Sequence, residues 1–286
     1  MAATAVATMP ELPELQAHAE RLDAAFAGAV LAGFRSISFT ALKTFAPAPD
    51  EAFGHAVVFV GRRGKYLLID VESVTFVVHL MQGGRLRDDP KQSAKPRGGI
   101  ARWSFADDRA LLLTEPGTER KAGVWVVAGD PETQEPLLGL GPDADQLDAT
   151  GWGNLLQPHS RRLHGVLRDQ QIVAGIGRRL ANEICHRAKL SPFANCAKLD
   201  RTQLEQLSEA SLACITETLA EERGRDDLGS VKQRTSAVHG RIGEACPVCG
   251  DTVRSVEYRR YTVAYCPTCQ TAGKILADNT TSKFLK

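Results

Sequence analysis

"ACPVCGDTVRSVEYRRYTVAYCPTCQ", residues 245–270, puts a Cys-Pro-x-Cys knuckle at each end of a segment that alternates like a β-hairpin. Cys246, Cys249, Cys266 and Cys269 follow the pattern C-x2-C-x16-C-x2-C. At that spacing two tight knuckles bring four thiolates around one tetrahedral Zn2+. Two disulfides are the competing reading, and a reducing compartment disfavours them. The pattern holds no fifth ligand and no open position, so the expected cofactor is one structural zinc ion per chain. Arg254, Arg259 and Arg260 make the intervening hairpin basic, which suits contact with phosphate.

Upstream of the knuckles the texture is helical. "LHGVLRDQ" and "RRLANEICHRAKL" flank the short turn "IVAGIG", residues 172–177. Its glycines allow close backbone approach, and the helix that follows offers free N–H groups to an anion. Arg178 and Arg179 stand at that helix start, against the helix dipole, which a bound phosphate would explain. Asp200 with Gln203 reads as a capping box before Leu204 and Leu207. The polar stretch from Glu221 to Arg234 reads as a linker or mobile loop.

The front half reads differently. Pro13 suits the first turn of a helix. Leu12, Leu15, Ala19, Leu22 and Phe26 then recur at helical spacing, with Gly28 as a stop. From Val30 to Val127 short apolar runs, "VVFV", "YLLIDV", "FVVHL", "ALLL" and "VWVV", alternate with turn residues, as antiparallel strands of a sandwich or barrel do. "RLRDDPKQSAKPRGG", residues 85–99, is too polar for core and reads as a basic loop. Lys65 follows Gly64 at the mouth of an apolar strand, with Arg62 and Arg63 just before it.

The chain has 286 residues, 43% of them hydrophobic and 24% charged, as in ordinary globular proteins. No apolar run is long enough to span a membrane, and "MAATAVAT" lacks the features of a secretory signal. The net charge of +1 divides unevenly. Residues 157–286 carry 20 Lys and Arg against 14 Asp and Glu, a net of +6, which leaves −5 for the rest. This asymmetry points the back half toward a polyanion. Cys185, Cys196 and Cys214 stand singly in helical sequence and read as buried apolar fillers.

Taken in order, "PELPE", "RRGKYL", "HL" with glycines, "AGIG" and "HGRIGEACPVCG…RRYT…YCPTCQ" resemble the formamidopyrimidine-DNA glycosylase and endonuclease VIII family of base-excision repair enzymes. The resemblance covers nearly everything from Met9 onward. It implies an α+β fold: an N-terminal helix plus an antiparallel β-sandwich, then a helix–two-turn–helix domain with a C-terminal zinc-finger β-hairpin. The expected boundaries are an extension over 1–9, a catalytic domain over 10–140, the helical domain over 141–235 and the zinc finger over 236–286.

It further implies a glycosylase and abasic-site lyase acting on damaged double-stranded DNA, monomeric, without a membrane partner, in the cytoplasm at the nucleoid. Pro10 matches the nucleophilic proline, and Glu11 the glutamate that handles the proton at the ribose ring oxygen. Lys65 matches the lysine that contacts phosphate and helps elimination, and Arg260 the hairpin arginine that grips phosphates beside the lesion. Glu14 would support the amine and the helix start, and Glu183 matches a helical carboxylate behind the site. The chain also departs from the pattern. Gly117, Thr118 and Glu119 stand where the family carries Arg, Arg and Phe, which leaves Met81 or Gln82 to fill the gap of a flipped nucleotide. Arg178 replaces an asparagine and still suits phosphate.

A mid-chain Pro10 is an inert amide, whereas a free proline nitrogen is a secondary amine. A working start at Met9, with methionine removed, is therefore expected. The alternative function is a lesion-binding protein of the same fold with impaired catalysis. A zinc-ribbon module for RNA or protein is a third reading, and it leaves "PELPE" and Lys65 unexplained.

Overall fold

The computed structural model describes residues 9–116, 120–228, 234–258 and 261–276. The chain forms two compact units, Met1–Gly139 with Glu221–Gln233, and Leu140–Ala220 with Arg234–Lys286.

In the first unit, α1 (Leu12–Phe26) starts after Glu11, whose backbone is extended, and carries Pro13 in its first turn. Leu12, Leu15, Ala19, Leu22 and Phe26 form its buried face, as their spacing predicts. The helix ends at Ala27, and Gly28 follows at φ 81°, a conformation that costs glycine little. Eight strands follow: β1 (Leu31–Ser36), β2 (Phe59–Arg63), β3 (Tyr66–Val71), β4 (Val74–His79), β5 (Arg85–Asp88), β6 (Gly99–Phe105), β7 (Ala110–Thr114) and β8 (Gly123–Val127). They build two antiparallel four-stranded sheets, in the orders β1-β6-β7-β5 and β2-β3-β4-β8. Leu67, Ile69, Phe76, Val78 and Val124 from one sheet share a core with Leu31, Leu86, Trp103, Leu111 and Leu113 from the other. Each such leucine or phenylalanine contributes about 1.5–3 kcal/mol by leaving water.

Two sequence expectations need correction here. The basic stretch 85–99 is not all loop: its first four residues form β5, which pairs with β7. Leu86 is the reason, since this single apolar residue is fully buried while Arg87 and Asp88 after it are exposed. Nor is the stretch from Glu221 to Arg234 simply a linker. Its first turn completes a helix, and Leu228 joins the sandwich core. Arg21 Nη1 donates to the carbonyl of Glu222 at 2.8 Å, holding that turn in the first unit.

The second unit contains α2 (Ala149–Leu156), α3 (Leu163–Leu167), α4 (Arg178–Arg187) and most of α5 (Arg201–Arg223). The capping box before α5 is present in both directions. Asp200 N–H donates to Gln203 Oε1 at 3.1 Å, and Gln203 N–H donates to Asp200 Oδ1 at 2.9 Å. The hairpin β9 (Arg254–Tyr258) and β10 (Tyr261–Tyr265) follows, then the short α6 (Pro267–Thr271). Cys185, Cys196 and Cys214 are buried, and burial raises their thiols well above the ordinary range, Cys196 to about 11 and Cys214 to about 12. They are packing residues. No helix among the described residues is long and apolar enough to cross a membrane.

Candidate functional site

In the first unit the residues singled out in the sequence gather at one end of the β2-β3-β4-β8 sheet. Tyr66 pairs with His79, and His79 pairs with Gly123. The β2–β3 turn with Lys65, the segment after β4 with Met81 and Gln82, and the approach to β8 therefore share an end. Helix α1 reaches the same place. Asp23 accepts from the Val60 amide at 2.7 Å, whereas Gln16, nearer the helix start, accepts from Arg62 Nε at 3.0 Å. Helix and strand thus run in opposite directions. Gly64 and Lys65 at the hairpin tip lie toward the helix start, where Pro10, Glu11 and Glu14 stand.

That helix start is closed off from water. Pro10, Glu11 and Glu14 are buried, and Glu14 Oε2 accepts from the Glu11 amide at 2.9 Å. This bond satisfies one of the donors that a helix start leaves open. Lys65 is half-buried. His79 is lowered to about 4, first by burial and then by the charge of Lys65. It is a neutral ring at neutral pH, and its Nδ1 accepts from the Met81 amide at 3.1 Å. That bond fixes Met81, whose φ of 51° is unusual for a side chain of its size. Gln82 is exposed next to it. Glu115 Oε2 accepts from Ala122 N–H at 2.7 Å and pins the base of the loop between β7 and β8. Gly117, Thr118 and Glu119 in that loop lie outside the described residues. Sequence reading missed His79 and Glu115, whose roles arise from partners found only in three dimensions.

In the second unit the "AGIG" turn leads into α4, with Gly177 at its N-cap. Gln170 holds the turn: its Oε1 accepts from Gly175 N–H at 3.0 Å and its Nε2 donates to Ile176 O at 2.9 Å. The two arginines diverge. Arg178 is half-exposed at the helix start, while Arg179 is buried and its guanidinium reaches Thr218 Oγ1 at 3.4 Å. Arg179 is therefore a structural residue rather than a second phosphate contact. Glu183 is a backbone anchor: its carboxylate accepts from Ala237 at 2.6 Å, Val238 at 3.1 Å and His239 at 2.8 Å.

Beside β10, Arg161, Arg162, His164, Phe193 and Tyr261 line an open cleft of about 450 Å3. The Arg168 guanidinium lies 4.2 Å from the centre of the Tyr261 ring, and Arg162 lies 5.0 Å from that of Phe193. Arginines laid over aromatic rings keep their charge while their reach is restricted. Sequence reading passed over this group because it joins three separate segments. Arg254 is exposed on β9, and Arg259 and Arg260 lie outside the described residues.

The four knuckle cysteines converge. Cys249 and Cys266 Sγ are 3.3 Å apart, and Cys246 and Cys269 Sγ 3.9 Å, too long for disulfides. Thiolates at about 2.3 Å from a tetrahedral zinc would stand about 3.8 Å from one another, so the set fits that ion. Burial opposes ionisation of Cys246, but the amides of Val248 and Cys249 and the ring of His186 bring its thiol below the ordinary value. The Asp251 amide and Cys266 lower Cys249, while burial pushes Cys266 up to about 11. The ligand atoms of Cys246, Cys266 and Cys269 also lie within 4.8 Å of a ring nitrogen of His186, so this cluster can hold a metal ion. The sequence pattern did not include that histidine.

Comparison with known proteins identifies the family and the fold. Residues 9–125 match the model of the formamidopyrimidine-DNA glycosylase N-terminal domain. The formamidopyrimidine-DNA glycosylase of Magnetococcus marinus is 30% identical over 282 residues, covering 92% of this chain and 100% of its own. The crystal structure of the MutM (Fpg) protein from Thermus thermophilus superposes with a TM-score of 0.78 at 29% identity, over 91% of this chain and 98% of that one. Lactococcus lactis Fpg in complex with DNA containing an abasic site shares the fold, with a TM-score of 0.79 at 20% identity over 91% and 99% of the two chains. A relative matched over its full length, on the same fold, fixes the lineage: the chain belongs to the formamidopyrimidine-DNA glycosylase family.

Proposed function

We propose that the protein removes damaged bases from double-stranded DNA and then cuts the abasic strand, with the nitrogen of Pro10 as nucleophile. The observation that carries this reading is the opposed run of α1 and β2, which directs Lys65 toward the buried Pro10–Glu11 helix start. An α-amine has a pKa of about 7.7–8.0 against about 10.4 for lysine, so far more of it is nucleophilic at neutral pH. The positive end of the α1 dipole lowers that value further. The amine attacks C1′ of the flipped nucleotide, the C1′–base bond breaks, and the base leaves with its electron pair and takes up a proton. Glu11 handles the proton at the ribose ring oxygen. The nitrogen gives up its proton, its lone pair opens the C1′–O4′ bond as O4′ takes up the proton handled by Glu11, and the iminium so formed acidifies C2′. Loss of the C2′ proton then breaks the C3′–O bond and loss of the C4′ proton the C5′–O bond, releasing the two phosphates while Lys65 compensates their charge.

Flipping a nucleotide costs a few kcal/mol, and Met81 with Gln82 is the pair available to fill the space it vacates. Arg178 and Arg254, with Arg259 and Arg260, bind the backbone, and Arg162 over Phe193 and Arg168 over Tyr261 add two further cations to that role. Cys246, Cys249, Cys266 and Cys269 would hold one structural Zn2+, whose role would be to fasten the two knuckles rather than to enter the chemistry.

Borohydride trapping on an abasic duplex tests the proposal. A chain processed to begin at Pro10 should give a covalent adduct, and Pro10→Gly should retain part of it through a primary amine. A chain that keeps residues 1–9, verified by mass spectrometry, should bind and trap little. Equal trapping by both forms would move the nucleophile to Lys65. Binding without trapping by the processed chain would assign lesion recognition without catalysis.

A further inference from the structure

Three contacts on α4 and the residues just past it converge on the zinc-finger segment. Glu183 accepts the amides of residues 237–239. His186, one turn further, places Nε2 3.3 Å from Cys246 Sγ. Beyond the helix end, the carbonyl of Leu190 accepts from Gln270 Nε2 at 2.9 Å, and Gln270 Oε1 accepts from the Cys266 amide at 2.8 Å. Both knuckles are thereby fastened to one segment, the first through a ligand sulfur and the second through a ligand amide.

From this geometry, and resting on the structural-zinc reading above, we propose that His186 is the positioning residue of the metal centre, donating its Nε2–H to the Cys246 thiolate from outside the coordination sphere. Five candidate donors compete for four tetrahedral positions. The set whose ligand atoms all lie within 4.8 Å of one another includes His186. But each C-x2-C knuckle brings two thiolates, and Cys249 Sγ lies 3.3 Å from Cys266 Sγ as Cys246 Sγ lies 3.9 Å from Cys269 Sγ, so the two knuckles supply four sulfurs by themselves. His186 is the remaining donor. Its ring is only 4% exposed, so its N–H has little water to bond instead. An N–H directed at a coordinated thiolate withdraws charge from a site carrying four negative sulfurs around a dication. It also fixes the orientation of the first knuckle. Neighbouring groups of this kind are typically worth about 10–100-fold in metal affinity.

The test uses the full chain with zinc bound. His186→Phe keeps a ring of similar volume and removes the donor, and His186→Gln keeps an N–H at nearly the same reach. His186→Phe should release zinc to a chromogenic chelator about 10–100-fold more readily than the parent, with His186→Gln close to the parent. In cobalt-substituted protein the sulfur-to-cobalt charge-transfer band should move to lower energy in His186→Phe and stay in place in His186→Gln. Bound metal in both variants and an unchanged far-ultraviolet circular dichroism spectrum exclude misfolding as the cause. Zinc retention by His186→Phe equal to the parent would overturn the proposal. So would Cys249→Ser holding zinc at parental affinity while His186→Gln loses it, which would make His186 the fourth ligand. Absence of zinc from all forms would instead overturn the structural-zinc reading itself.

Discussion

Two histidines show how burial converts a residue into a pH-dependent element. His18, in α1, is lowered to about 4, chiefly by burial and then by Arg21, although its Nε2 donates to the Leu86 carbonyl at 2.7 Å. His79 is held at about 4 by burial and Lys65. In the unfolded chain both take a proton near pH 6.5. Above that value the two states bind equal numbers of protons and stability is unaffected. As pH falls from 6.5 toward 4, the unfolded state gains protons first and each histidine costs about 3 kcal/mol of stability. Denaturant unfolding of the first unit should therefore lose stability steeply between pH 6.5 and 4.5. His18→Gln, which retains the donor, should remove roughly half of that slope; an unchanged slope would mean that His18 titrates normally.

At the scale of elements, the turn into α4 depends on a glycine remote from it in sequence. A Cβ on Gly141 would stand 2.2 Å from the Ile172 carbonyl oxygen, at the start of the "IVAGIG" segment. Backbone cannot yield as a flexible side chain can. Gly141→Ala should cost about 2 kcal/mol or more and lower DNA affinity by displacing the α4 N-terminus. Gly165, inside α3, is the control, because a Cβ there meets nothing within 4 Å. Gly165→Ala should be neutral or stabilising by up to about 1 kcal/mol. Thermal unfolding of the two variants, with a DNA titration, checks both expectations; equal stability would show that the turn adapts.

The whole molecule carries its charge unevenly, with +6 in residues 157–286 of a chain whose net charge is +1. If this region meets the DNA backbone, affinity should fall linearly on a logarithmic salt scale, by counterion release. Arg168, held over Tyr261, is expected to account for about one phosphate. Arg168→Ala should weaken binding to all sequences alike and reduce the salt slope by about one unit. A parental slope in titrations from 50 to 300 mM salt would place Arg168 away from the interface.

The amino-acid sequence alone determined the features that rest on local spacing. The knuckle cysteines, the apolar face of α1 and the Asp200–Gln203 box are each set by residues a few positions apart, and so are legible without a fold. The β5 strand was not, because one leucine among charges has no periodicity, and only its partner β7 makes the strand. Nor did the sequence show which of Arg178 and Arg179 faces outward, since that depends on Thr218 some forty residues further on. His79, Gln170, Arg168 and His186 acquire their roles in the same way, from partners far along the chain or from turns that packing closes. Tertiary structure decided those roles because hydrogen bonds, desolvation and ring contacts act over a few ångströms of space, whatever the distance along the chain.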